Sequence, residues 1–253
     1  MVPEPARRLW RTLAADDRAL HPHTTTVVRG SRGIAPAGWV GVVRFGDASL
    51  IEAGQADDAS IARLRALDDP SDPAQVEAAL QPDRTMGPAL LAYLPGRARV
   101  PDLEDRSHVE EVPVSTLRDW LAALPDEDVD ESSVAEMEQA LVLRRAGIVL
   151  GAAGHLGWPA GIGHVGVLVA PDARGAGVGT AVAAAATRRV LDQGLTPQWR
   201  AAASNLASRT VARRLGYREM GRQFCFELDE AHAGGPPAAA TRTNVRSGRD
   251  PRQ

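Results

Sequence analysis

Seven consecutive residues carry the densest chemical signal in the chain: Arg174, Gly175, Ala176, Gly177, Val178, Gly179 and Thr180. The glycines remove Cβ atoms, so the backbone can come close to a bulky anion and positive φ costs little. Successive N–H groups aimed into one concavity bind phosphate, and Arg174 adds a forked cation at the rim. Two further groups are candidates for chemistry: His164, which can exchange a proton, and Asn205, whose amide both donates and accepts. The elements that must position them can be read alongside. Val165 to Ala170 is an apolar, β-branched run of buried-strand length, and Pro171 stops it because it fixes φ and lacks an N–H. An Ala-rich, Pro-free helical segment follows the glycines, and Gly194 provides its natural stop. Strand, glycine turn and helix start together point orphan amides and a positive dipole end at one spot.

Which phosphate ligand this suits follows from spacing. A dinucleotide loop needs Gly-x-Gly-x-x-Gly and an acidic residue near the end of the next strand. Here the third glycine, Gly179, comes one place early, and the next strand candidate, Gln198 to Ala203, has no carboxylate. A P-loop needs Gly-Lys-Ser/Thr, and the chain contains no lysine. What remains, Arg-x-x-Gly-x-Gly directly after a strand ending in proline, resembles the acyl-CoA pyrophosphate loop of the GNAT superfamily of N-acetyltransferases. Asn205, Ser208, Val211, Leu215, Gly216 and Tyr217 resemble that superfamily's second signature, an asparagine, a helix and then Leu-Gly-aromatic. The likeness covers residues 119–228.

The resemblance implies an α+β fold, a mixed and mostly antiparallel sheet whose central strands splay, flanked by helices. It implies acetyl-CoA as co-substrate. The pantetheine arm would lie in the splay against the backbone of Val167, Leu168 and Val169. The pyrophosphate would sit on the amides of Gly175, Ala176, Gly177, Val178, Gly179 and Thr180, with Arg174 at the rim. Asn205 would contact the pantetheine or phosphate end while also capping the helix that starts at Leu206. The implied reaction is direct attack of an amine, small-molecule or peptide, on the thioester. It needs a base or water chain for the amine proton and a strand amide near Leu168 for the oxyanion. The acid and base are where the likeness departs. Many relatives place a tyrosine where Ala212 stands, and their glutamate or histidine bases fall near Gly163 and Val165. His164 lies between these two, on the opposite strand face unless a bulge intervenes. His155, Glu136 and Glu138 are weaker candidates. A thiolate can leave unprotonated, since a free thiol has a pKa of roughly 8.5.

Composition narrows the classes. At 253 residues with 44% hydrophobic and 24% charged content, the chain reads as globular. A net charge of −3 provides no field for nucleic acid or an anionic membrane. No apolar run reaches the roughly 20 residues of a spanning helix, and the N-terminus lacks the apolar core of a secretion signal. Cys225 is the one cysteine, which suits a reducing cytoplasm; between Phe224 and Phe226 it reads as a buried small hydrophobe. The six histidines show no metal-ligand spacing. Monomer and homodimer both fit.

Along the chain, Glu4 to Leu20 carries a helical stripe, Thr24 to Arg29 reads as a strand, and Gly38 to Arg44 with Ala48 to Ala53 reads as a hairpin around Gly46-Asp47. Helices are expected over Asp57 to Leu67 and Pro73 to Leu80, a strand over Gly87 to Leu94, and a connector over Arg97 to Glu111. Ser115 should cap a helix running to Leu124, and the acidic run from Pro125 to Ser132 reads as a solvated loop or as a rim that attracts a cationic amine. Strands are expected over Gln139 to Arg144, Gly147 to Gly157 and Tyr217 to Leu228. The domain reading is residues 1–110 as an α/β region, either a degenerate GNAT-like copy or an unrelated cap; residues 111–229 as the acetyltransferase domain; and residues 230–253, rich in Gly, Pro and Arg, as a disordered tail. Two rivals to the transferase stay open: an inactive acyl-CoA binding or sensing module, and a binder of another phosphate ligand.

Overall fold

The computed structural model describes residues 2–30, 33–95 and 109–228, so the expected tail and most of the expected connector lie outside the described residues. The fold is α+β. One sheet of ten strands runs in the order β1-β3-β2-β10-β4-β9-β8-β7-β6-β5. Its members are β1 (Thr25–Val28), β2 (Val40–Phe45), β3 (Ala48–Glu52), β4 (Arg84–Tyr93), β5 (Val109–Pro113), β6 (Gln139–Arg145), β7 (Ile148–Trp158), β8 (Ile162–Val169), β9 (Thr196–Ala202) and β10 (Arg218–Glu227). The β1–β3 and β8–β9 pairs are parallel and the others antiparallel. The strands of residues 1–110 interleave with those that follow, because β4 lies between β9 and β10.

Side-chain alternation gives the sheet two covered faces. On one face α6 (Val178–Asp192) and α7 (Leu206–Arg214) bury Val182, Ala186, Val190 and Ala212 against Val165, Trp199 and Ala92. Alongside them α2 (Asp58–Arg65) and α3 (Pro73–Leu80) pack Leu64 and Val76 on Phe224, Phe226 and Ile51. On the other face α1 (Glu4–Ala14) sets Leu9 and Trp10 against Leu91, Tyr93 and Phe45. The segment holding α4 (Arg118–Ala122) and α5 (Asp126–Ser132) covers β6–β8, with Val114, Val134 and Met137 on Val142, Ala152 and Leu168. At Gly166 a Cβ would meet the Ser132 carbonyl at 2.0 Å, so the missing side chain is what lets the end of α5 seat on β8.

Several sequence expectations are corrected. Helix α1 stops at Ala14, because Ala15 takes φ 51° and its N–H caps Arg11 and Thr12; Leu20 reaches the core from a separate turn with φ 61°. Ser115 makes no cap: it sits inside a 3-10 turn, Val114–Leu117, that precedes α4. Pro125 to Ser132 is mainly helix, not loop, with Asp126, Glu127 and Asp128 in the first turn, where carboxylates complement the dipole. Part of the expected connector, Val109–Pro113, pairs with β6 as an edge strand.

Candidate active site

Strands β8 and β9 pair at three positions: Ile162 with Thr196, Gly163 with Pro197, and His164 with Gln198. Pro197 offers no N–H, so the pairing is short of a donor just before it ends. Beyond His164 the strands part. From Val165 to Val169, β8 keeps its partner β7 and leaves its other edge open; from Gln198 to Ala202, β9 keeps its partner β4. The gap widens into a cleft of about 520 Å³ that reaches the glycine loop. Val167, Leu168, Val169, Arg174, Gly175, Gly177, Gly179, Thr180 and Asn205 all line it, as does His164.

At the mouth, a 3-10 turn over Pro171–Ala173 leads into Arg174 in extended conformation. Gly175 and Gly177 take φ 78° and 83°, values that side chains other than glycine rarely adopt, and a Cβ on either would point into open space. The first bond of α6 is from Ala181 N–H to Gly177 O at 3.0 Å, so the amides of Val178, Gly179 and Thr180 have no acceptor within the helix. Gly177 is the N-cap and supplies no side chain. Open amides, positive φ and the dipole end converge as the sequence suggested.

Two of the expected ligand contacts are engaged by α5. Arg174 Nη2 donates to Asp128 Oδ2 at 2.7 Å. Asn205 Nδ2 donates to Glu131 Oε1 at 3.0 Å, while Asn205 Oδ1 caps α7 by accepting from Ser208 N–H at 2.9 Å. The acidic helix therefore spans the cleft with one carboxylate at each wall. Sequence reasoning saw the acidic run and missed this placement, which depends on contacts 46 and 74 residues apart.

His164 closes the narrow end. The β7–β8 register is unbroken through it, so it faces opposite to Gly163 and Val165, toward the side covered by α1 and α5. Its ring stacks on Trp158 at 4.8 Å and its Nδ1 is buried without a partner. Burial first, and the Arg200 cation second, push its pKa down to about 4, so it is neutral at pH 7. His155, Glu136 and Glu138 do not line the cleft. Tyr217 is core: its hydroxyl lies 3.0 Å from Thr187 Oγ1 and burial pushes its pKa well up. Ala212 is also buried in that core.

Sequence reasoning missed Arg200. It lies two residues after Gln198 on β9, on the same strand face, and lines the cleft floor. Its signal was present, a cation inside an otherwise buried Gln-Trp-Arg-Ala strand. Among the described residues no group of three or more His, Cys, Asp or Glu could hold a metal ion, and no helix is long and apolar enough to cross a membrane.

The comparisons with known proteins meet this geometry. Residues 141–223, which span β6 to most of β10 and contain the splay and the glycine loop, match the GNAT acetyltransferase family model. This segment is a GNAT acetyltransferase domain. Among solved structures, a GNAT-family acetyltransferase from Colwellia psychrerythraea is similar at 16% identity and TM-score 0.47, over 58% of this chain and 58% of that one. A putative GNAT-family acetyltransferase from Novosphingobium aromaticivorans has 19% identity and TM-score 0.47, over 58% of this chain and 67% of that one. An N-acetyltransferase-like protein from Streptococcus suis has 16% identity and TM-score 0.47, over 88% of this chain and 98% of that one. No curated protein matches. The matched segment supplies β6 to β10, and β4, from outside it, pairs with β9 on the side away from the splay.

Proposed function

We propose that the chain transfers an acetyl group from acetyl-CoA to an amine acceptor by direct attack with both reactants bound. The observation that carries this reading is the splay opening directly into a loop of unpartnered helix-start amides. An anion held at the loop and an extended arm laid along the open edge of β8 would each find backbone donors. Acetyl-CoA, when bound, supplies the activated acetyl thioester.

The amides of Gly175 to Thr180 would hold the pyrophosphate, and Arg174 would turn from Asp128 toward it. The open strand edge at Val167, Leu168 and Val169 would hold the pantetheine arm, with the amide near Leu168 as donor to the carbonyl oxygen. Asn205 would exchange Glu131 for the ligand while keeping its cap. His164, neutral at pH 7, lines the narrow end of the cleft, where its ring would orient the incoming amine. An imidazole held down to about 4 does not retain a proton at pH 7, so the proton passes on to water in the cleft. The rate gain comes chiefly from holding both reactants in one cleft.

Acetyl-CoA turnover against a panel of amines, followed by free-thiol release, tests this. Amine-dependent release is expected. A second reading, an acyl-CoA binding or sensing module, is favoured by one observation: the position where many relatives carry a tyrosine acid holds Ala212, packed in the core. CoA binding by calorimetry with no thiol release under any amine would select that module. If NAD or ATP stabilises the fold and acetyl-CoA does not, both readings fall.

A further inference from the structure

We propose that Arg200 is the carboxylate-binding residue of the acceptor site, so that the acceptor is an amino acid or a close amino-carboxylate. This rests on the transferase reading above for the identity of the site.

Arg200 is placed for this by three observations. It projects from β9 on the face shared with Gln198 and His164, opposite to Trp199 and Ala201, which pack with α6 and α7. The glycine loop leads into α6, so Arg200 looks away from the phosphate end and toward the side where an acceptor would enter. The guanidinium is also held. Its Nε donates to Gln223 Oε1 at 3.0 Å, and Gln223 Nε2 donates in turn to Ile34 O at 2.6 Å. The Nη pair, the fork that matches a carboxylate, makes no hydrogen bond to a described residue, and Arg200 lines the cleft. Among the described residues, moreover, no carboxylate comes within ion-pair distance of Arg200. Of the two other arginines that line the cleft, Arg174 pairs with Asp128, whereas Arg214, like Arg200, makes no ion pair among the described residues. Glu131, the carboxylate whose charge reaches Arg200, is already held by Asn205. Arg200 is exposed in the cleft, so its guanidinium is open to an anion of matching geometry.

His164 and Arg200 line the same cleft, and the Arg200 cation acts on the His164 imidazole, so one small zwitterion can place its amine beside His164 and its carboxylate on Arg200. The exposed carboxylates of Asp126, Glu127 and Asp130 on α5 add a field that draws the cationic amine to the same mouth.

The test uses the full chain. Free amino acids and their decarboxylated amines are titrated calorimetrically into CoA-saturated protein, and the same pairs are compared as acceptors by thiol release. Amino acids should bind, and each should be preferred over its decarboxylated partner; Arg200→Gln should weaken amino-acid binding roughly 100-fold while CoA affinity stays within about threefold. Gln223→Met, which unpins the guanidinium, should give an intermediate loss. Equal binding of each pair by the unmodified protein overturns the proposal. So does a large loss of CoA affinity in Arg200→Gln, which would assign Arg200 to the cofactor's own phosphates. If amino acids bind through Arg200 but no thiol is released, the transferase reading fails while this inference stands.

Discussion

The two edges of β9 have opposite fates. Toward β4 it pairs continuously from Gln198–Tyr93 to Ala202–Ala89, and toward β8 it pairs at three positions and then opens. The closed edge is built of buried Leu91, Tyr93 and Ala92. The open edge is built of backbone with no partner beside it, at the centre of the sheet rather than at its rim. An open seam is tolerated there because each parting strand is held on its far side, β8 by β7 and β9 by β4, and because α6 bridges the pair through Val190 and Val182. One edge supplies stability and the other leaves backbone groups without a strand partner.

Four measurements would break or sharpen this comparison. Leu91→Ala, on the closed side and fully buried, should cost about 4 kcal/mol in denaturant unfolding and leave CoA affinity per folded molecule unchanged; a loss under 1 kcal/mol would mean the β4 side is not the anchor. The pH dependence comes next. His164 is pushed down to about 4 from 6.5, so the unfolded chain takes up its proton first. The stabilisation is present above pH 6.5 and is lost as pH falls toward 4, on the order of 3 kcal/mol. His164→Gln should flatten that part of the stability curve, and an unchanged slope would show that the imidazole is not desolvated. Gly177→Val forces a β-branched residue to φ 83° and puts a side chain where the anion would lie; CoA affinity should fall ~100-fold with the circular dichroism spectrum unchanged. Retained affinity would detach the loop from the open seam. The smallest effect belongs to Asp128→Asn, which releases Arg174 and should raise CoA affinity about two- to threefold. A fall would mean that Asp128 positions Arg174 for the ligand instead of competing with it.

Much of this was legible before the fold was known, and the legible parts share a property. The glycine loop, the strand that Pro171 stops, the helix Pro73–Leu80 with Pro73 in its first turn, and the hairpin at Gly46 are each specified within a few residues, by φ preferences and apolar period. The misreadings were local patterns overruled from afar. Leu20 looked like the next turn of α1 because burial was mistaken for helical period, and the acidic run became α5 because its end seats on Gly166 of β8.

By itself the sequence determined a glycine loop, a strand before it, a helix after it and an asparagine-capped second helix. Only the tertiary structure decided that β4 closes one side of β9 while the other stays open, that α5 reaches Arg174 and Asn205, and that Arg200, in the cleft lining, is held at its Nε by Gln223. The reason is the range of the interactions. Turn chemistry and capping act between neighbours and are written in short strings, whereas strand pairing, charge compensation and desolvation depend on which distant groups the folded chain brings within a few ångströms.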